Sequence, residues 1–162
     1  MTDDQITLAE IAEQEGELRL PALGNDDAWA LGVTLVDLAR AQKMPVTIHI
    51  TRGKHELFHA ALAGASTEHD SWIARKTRVV ERFGHSSLYV GQECREQGTT
   101  YEQRYGLEDS LYAAHGGAFP LVVRGQGPVG VIVVSGLPQL DDHRLVVAGL
   151  RAHLDARATM SS

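Results

Sequence analysis

The run Val129–Val134 most strongly constrains the fold, because every residue in it except Gly130 is aliphatic. A strand that is apolar on both of its alternating faces is typical of a sheet covered on both sides. Residues 119–123 indicate a second strand, and Gly125-Gln126-Gly127 supplies glycine where a tight turn needs positive φ. The sequence therefore predicts a buried β-hairpin, with Pro128 tolerated as the first residue of its second strand.

A helix is predicted directly after this hairpin. Ser135-Gly136-Leu137-Pro138 interrupts the strand, and either Asp141 or Asp142 is suited to cap a helix N-terminus. The apolar residues that follow share one helical face and are Val146, Val147, Leu150 and Leu154. We expect this helix to pack its apolar face on the hairpin.

The rest of the chain alternates helical and extended patterns. Thr7 and Glu10 have capping-box spacing, a second helix follows Asn25, and residues 18–20 read as a short strand between them. Residues 46–51 alternate as a strand, Arg52-Gly53 turns the chain into residues 55–62, and two helices precede the buried hairpin. Consecutive hairpins with segregated helices predict an α+β fold with an antiparallel sheet of about five strands.

Length and charge narrow the class of protein. A chain of 162 residues fits one domain, and we expect flexible ends at 1–6 and 156–162. The net charge of −6 argues against nucleic-acid binding, and no apolar run approaches the ~18 residues of a membrane helix. The acidic N-terminus lacks signal-peptide features, and the single Cys94 permits no internal disulfide. These features predict a cytoplasmic protein with no membrane or nucleic-acid partner.

The hairpin region carries an ordered set of residues, namely Gly116-Gly117, Pro120, Val129-Gly130-Val131, Ser135-Gly136 and the acidic helix start. This order resembles the signature of the haem-degrading-domain family, which includes GlcG-like proteins and the C-terminal part of some PduO cobalamin adenosyltransferases. A stand-alone branch of the family is indicated by Trp72, Arg75-Lys76 and Phe83-Gly84-His85-Ser86-Ser87. The resemblance spans roughly residues 23–154. It implies a profilin-like fold and a haem-like tetrapyrrole as ligand.

The segment His55-Glu56-Leu57-Phe58-His59 matches the H-E-x-x-H zinc motif. On a helix, the two imidazoles would share a face and Glu56 could act as general base. However, the preceding Arg52-Gly53 turn and the family resemblance place the segment on a strand, and no convincing third ligand follows. There, His55 and His59 would point to one face but lie too far apart to chelate. We predict a strand that carries no metal.

The helix before Phe83 carries a lysine on its apolar side. At about 100° per residue, Lys76 lies in the middle of an apolar arc, His69 shares that face, and Arg75 lies just off it. A lysine there must extend to solvent, find an anion, or lie at a subunit or ligand interface. The sequence does not decide between these environments of Lys76. One of them is a site that binds the carboxylate or propionate of a ligand.

Two further groups are candidates for ligand contacts. His115 could be an axial ligand or proton donor beside Gly116 and Gly117, whose small size would let a ligand approach the backbone. The same glycines could serve turns alone, and His115 could be a core histidine. His85 is equally ambiguous, because a helix end that meets a helix start needs the neighbouring glycine and serines for structure.

These observations leave three classes of function. The first is a module that binds a small anionic ligand, with haem favoured by the resemblance and no catalytic residues assigned. The second is an oligomeric interaction protein without chemistry, and the third is a zinc hydrolase through the His55–His59 motif. A homo-oligomer is expected in the first two classes, since a small domain with apolar surfaces often completes its core with copies of itself.

Overall fold

A computed structural model describes residues 5–160 of the chain. The helices are α1 (Leu8–Glu17), α2 (Asn25–Ala41), α3 (Glu68–Phe83), α4 (Ser87–Glu96), α5 (Tyr101–Tyr105) and α6 (Gln139–Met160). The strands are β1 (Thr47–Arg52), β2 (His55–Ala61), β3 (Ala118–Val123) and β4 (Gly127–Ser135). Both hairpins lie where the sequence predicted them.

The four strands form one antiparallel sheet in the order β2-β1-β4-β3. The central β4 pairs with β3 through the predicted turn and with β1 across the long connection. Alternate residues of β4 enter different cores: Ile132 and Val134 face α2 and α6, whereas Val131 and Val133 face α3. The prediction of an α+β fold, with a strand buried on both faces, is confirmed.

The prediction of about five strands is wrong, because residues 18–20 form only a bridge. Leu20 N donates to Val122 O at 2.8 Å, and Arg124 N donates to Leu20 O at 2.9 Å. The chain bends at Pro21 directly after this bridge, so the pairing with β3 does not extend into a ladder. The sheet therefore has four strands within the described residues.

The ends of the chain were predicted to be flexible. Residues 156–160 lie in the last turns of α6, while 1–4 and 161–162 lie outside the described residues, so this prediction stays untested. Across residues 5–160, none of the helices combines the length and the apolar character needed to cross a membrane.

His143 of α6 is fully buried, and this makes the fold sensitive to acid. Its Nε2 lies 2.7 Å from Gln14 Oε1, and because an amide oxygen only accepts, Nε2 donates. Burial, with a smaller effect of the Arg144 charge, lowers the pKa of His143 from 6.5 to about 4. Between these two pH values the unfolded chain binds a proton at His143 that the folded chain does not. The free energy of unfolding therefore decreases as pH falls from about 6.5 to about 4.

We therefore expect His143→Gln, which removes the titration, to flatten the pH dependence of stability. From pH 7 to pH 5, the unfolding free energy of the wild type should fall by about 2 kcal/mol more than that of the variant. Urea unfolding at both pH values measures the difference. Equal losses in the two proteins would contradict the assignment.

Candidate functional site

The candidate site is a cleft of about 340 Å³ where α3 meets the C-terminal end of β4 and the start of α6. Its lining residues come from three segments that are distant in sequence, and they are His69, Trp72, Lys76, His115, Ser135, Gly136, Leu137, Gln139 and Asp142. Spacings of three and four residues place His69, Trp72 and Lys76 on one face of α3. The fold thus brings together three of the predicted residues, His69, Lys76 and His115.

Lys76 is bound to a carboxylate of its own chain. Its Nζ donates to Asp142 Oδ2 at 3.1 Å and to Val134 O at 3.3 Å, and both charged side chains are almost wholly buried. Asp142 Oδ1 in turn accepts from Leu137 N at 3.0 Å, but α6 begins at Gln139, so Asp141 and Asp142 lie in its first turn and neither is the N-cap that the sequence predicted. The sequence left several environments open for Lys76. In the structure Lys76 is paired with an anion, the Asp142 carboxylate of the same chain.

Burial dominates the titration of both partners. It raises the pKa of Asp142 to about 6, against the opposing effects of Lys76 and of the hydrogen bond from Leu137. Burial also lowers the pKa of Lys76, while the Asp142 charge counteracts that effect. Since a pKa of about 6 still leaves the Asp142 carboxyl mostly ionised at pH 7, we treat the two groups as an ion pair at neutral pH.

An aromatic wall borders the ion pair. The rings of Trp72 and His115 meet edge to face with centroids 5.2 Å apart, and the Arg75 guanidinium lies 4.0 Å from the Trp72 ring centre. Arg75 does not itself line the cleft, and its Nη1 donates to Asp109 O at 3.4 Å. Arg75 therefore supports Trp72 and is not a ligand-facing cation.

The two cleft histidines are in different environments. Burial, followed by the nearby Lys76 charge, lowers the pKa of His115, so its imidazole is neutral at pH 7. His69 Nδ1 accepts from Ser66 N at 3.5 Å, which orients its ring at the start of α3. Gly136 leaves room for this ring, because a Cβ there would lie 3.1 Å from His69 Cε1 and 2.5 Å from Pro45 O.

Gly116 and Gly117 border the cleft without lining it. Gly116 N donates to Gln139 Oε1 at 3.1 Å, and a Cβ on Gly116 would lie 2.3 Å from Gln139 O. Gly117 has φ +133°, and a Cβ there would lie 2.4 Å from Val134 O and 2.8 Å from Lys76 Nζ. Both glycines thus allow the chain to pack closely behind the ion pair.

His85 lies outside the cleft. Its Nδ1 is 3.2 Å from Glu15 Oε1 of α1, and its ring stacks on Tyr89 with centroids 3.9 Å apart. Sequence reasoning in turn missed Asp142, Gln139 and Trp72 as cleft residues, and Trp72 was noted only for the family resemblance. Asp142 was recognised only as a helix cap, and no local signal pairs it with a lysine 66 residues earlier.

The His55–His59 segment lies in β2, as predicted, so the helical zinc motif is not formed. The expectation that His55 and His59 share a face of this strand is wrong. His55 is opposite Arg52 and His59 is opposite His49, with a register shift between these pairs. Because residues three apart on β1 face opposite sides, His55 and His59 do so too.

Comparison with known proteins agrees with this architecture. The model of the family described as "Haem degrading protein HbpS-like" matches residues 23–151. The UPF0303 protein SCO2848 of Streptomyces coelicolor is 55% identical over 144 residues, which cover 89% of this chain and 91% of that protein. This chain therefore belongs to the HbpS-like haem-degrading protein family.

Solved structures share the fold. The crystal structure of Ybr137w protein superposes with a TM-score of 0.87 at 31% identity, covering 95% of this chain and 91% of that one. A PduOC:haem complex superposes with a TM-score of 0.66 at 18% identity, covering 81% and 94%. At that identity, the second similarity concerns the fold alone.

Proposed function

We propose that the cleft between α3, β4 and α6 binds a flat, anionic small ligand, with haem or a related tetrapyrrole as the class. The observation that carries the proposal is the meeting of Trp72, His115 and His69 at one cleft. Membership of a family described as haem-degrading, and a fold shared with a PduOC:haem complex, support the choice of ligand.

The donor set fits a haem group in part. Neutral imidazole is a common axial ligand of haem iron, and burial keeps His115 neutral at pH 7. Trp72 offers an aromatic surface beside it. At about 340 Å³, the cleft is near the lower end of ordinary ligand pockets, so we expect it to take one edge of a macrocycle. Bound haem would supply an iron centre open to redox chemistry.

The Lys76–Asp142 pair limits what this site can offer an anion. Because Asp142 already neutralises Lys76, the pair adds no free positive charge to the cleft. Ligand binding should then depend on the imidazoles and Trp72 more than on Lys76. No side chain is assigned a catalytic role, and the proposed activity is binding.

Titration with ferric haem, followed by the Soret band, tests this proposal. We expect His115→Ala to weaken binding at least ~10-fold, an effect of about 1.4 kcal/mol, and to shift the band. His69→Ala tests the second imidazole, and His85→Ala is the matched control, because His85 lies outside the cleft. Loss of affinity in the control alone, or a wild-type band in both cleft variants, would contradict the proposal.

We also propose a homo-oligomer, as the sequence predicted. Trp29 of α2 is 63% exposed, although its ring contacts Phe58 edge to face with centroids 5.6 Å apart. An exposed tryptophan beside a buried apolar core is typical of an interface. Sedimentation of the haem-titration samples at micromolar concentration would show a monomer if this proposal is wrong.

A further inference from the structure

A β-bulge in the outer hairpin brings together three potential metal ligands that the sequence separates. Along a regular strand, Glu56 and His59 would face opposite sides of the sheet. Here His59 pairs with His49 and Glu56 pairs with Thr51, which leaves Leu57 as the extra residue of β2. Since His49 and Thr51 share a face of β1, Glu56 and His59 share that face too.

Two of the three separations between the ligand atoms match those in a metal site, and the separation of the two imidazole nitrogens is shorter. His49 Nδ1 lies 2.9 Å from His59 Nδ1 and 3.4 Å from Glu56 Oε1, and His59 Nδ1 lies 3.6 Å from the same oxygen. Bonds of about 2.0–2.2 Å at tetrahedral angles place neighbouring ligand atoms about 3.3–3.6 Å apart. The geometry points to a binding site for a divalent transition-metal ion, such as Zn²⁺, formed by His49, Glu56 and His59.

The surroundings suit a cation. Asp70 Oδ1 lies 3.8 Å from His59 Nε2, where an outer carboxylate can hold the ring with Nδ1 directed at an ion. Lys54 pairs with Glu81 at 3.3 Å, and Arg78 Nη1 donates to Leu111 O at 2.9 Å, so both neighbouring cations have partners elsewhere.

The alternative is a direct hydrogen bond between His49 and His59. One shared proton accounts for the distance of 2.9 Å between the two nitrogens. It does not account for the Glu56 carboxylate, which lies within 3.6 Å of both nitrogens, although that side chain is 58% exposed and free to turn away. An ion bound to all three atoms accounts for the position of Glu56, and the two imidazole nitrogens would move apart by a few tenths of an ångström when it binds.

Three protein ligands leave a coordination position open, as in catalytic zinc sites. That position would face a second cleft of about 390 Å³ that lies between the β1-β2 hairpin and α3. None of its lining residues lines the cleft of Lys76 and His115, so the metal site is separate from the proposed ligand site and does not depend on it. Water or a small anion would complete the coordination.

This inference changes the earlier expectation for the H-E-x-x-H segment. That expectation considered His55 and His59 as the ligand pair, and the structure places these two on opposite faces of β2. The proposed site takes Glu56 and His59 from the segment and obtains its third ligand, His49, from the neighbouring strand. His55 has no part in it.

Calorimetric titration of Zn²⁺ into chelator-treated full-length protein tests the site. We expect one ion per chain, and at least ~100-fold weaker binding in Glu56→Gln and in His59→Ala. Asp70→Asn should weaken binding by ~10-fold, the usual effect of an outer-shell change. Co²⁺ should give the intense visible bands of a four-coordinate site in the wild type and lose them in His59→Ala.

His55→Ala is the matched control, because it removes the other histidine of the segment and should leave affinity unchanged. Thermal melting without metal checks that each variant is folded, and the exposed Glu56 is the change least expected to disturb folding. The proposal is overturned if the wild type binds no Zn²⁺ at millimolar concentration. It is equally overturned if His55→Ala weakens binding as much as His59→Ala does, or if Glu56→Gln and His59→Ala both bind like the wild type.

Discussion

Lys76→Met should lower the free energy of unfolding by about 3–5 kcal/mol, the usual cost of leaving one charge of a buried pair without its partner. Methionine matches the lysine stem in length, so the loss comes from the Asp142 carboxylate and not from a cavity. Urea unfolding at pH 7 measures the loss. It should shrink as pH falls, because protonation of Asp142 then removes the unpaired charge.

The double variant Lys76→Met/Asp142→Asn separates charge from packing. The asparagine amide oxygen can still accept from Leu137 N, while neither side chain is charged. We expect the double variant to recover to within about 1–2 kcal/mol of the wild type, as neutral replacements of buried pairs often do. If the double variant is no more stable than Lys76→Met, the ion pair is not the source of the effect.

The single variant Lys76→Met also tests whether Lys76 binds the ligand. Had Lys76 been free to neutralise an acidic group, its replacement would cost at least ~10-fold in haem affinity while stability held or rose. With Asp142 in place, we expect the reverse: a less stable protein whose folded fraction binds haem almost as well. A large loss of affinity at unchanged stability would show that the pair opens to accept the ligand.

Local patterns were enough to predict most of the fold. The aliphatic run Val129–Val134, the glycine turn before it and the apolar helical face that follows it predict β4, its hairpin and α6, because each of these signals acts over a few residues. Residues 18–20 were predicted as a short strand, because an alternating pattern does not show how many hydrogen bonds form. The chain bends at Pro21, and pairing stops after one bridge.

The sites were harder to predict because they depend on pairings between distant segments. A lysine on an apolar arc was noticed, but its partner lies 66 residues away and looks like an ordinary cap. The bulge at Leu57 places Glu56 and His59 on the same face of the sheet, where a regular strand would place them on opposite faces. Nothing in the composition of the segment predicts this bulge. In both cases, the register of the sheet decides which side chains meet.

Gly117→Ala should be as disruptive as the loss of Lys76, with an expected cost of roughly 3 kcal/mol or more. The residue has φ +133°, which alanine rarely adopts, and its Cβ would lie 2.4 Å from the Val134 carbonyl oxygen. That oxygen belongs to β4 at the centre of the sheet, so it cannot move away cheaply. Thermal and urea unfolding measure the cost.

Gly125→Ala is the matched control. Gly125 also has positive φ, at +80°, but a Cβ there meets no heavy atom within 4 Å among the described residues. It should cost only about 1–2 kcal/mol, the expected penalty for an L-residue in this region. The difference between the two variants therefore reports the close packing of Gly117 together with the extra strain of an alanine at φ +133°.

The Gly117→Ala variant also distinguishes between two roles for Gly116 and Gly117, ligand binding and close packing of the chain. If these glycines exist so that a ligand can approach the backbone, Gly117→Ala should keep near-control stability and lose haem affinity. If they exist so that the chain can pack against Val134 and Lys76, stability should fall and the remaining folded protein should bind haem normally. The distances to Val134 O and Lys76 Nζ favour the second outcome, because the space a methyl group would need is already occupied by the protein itself.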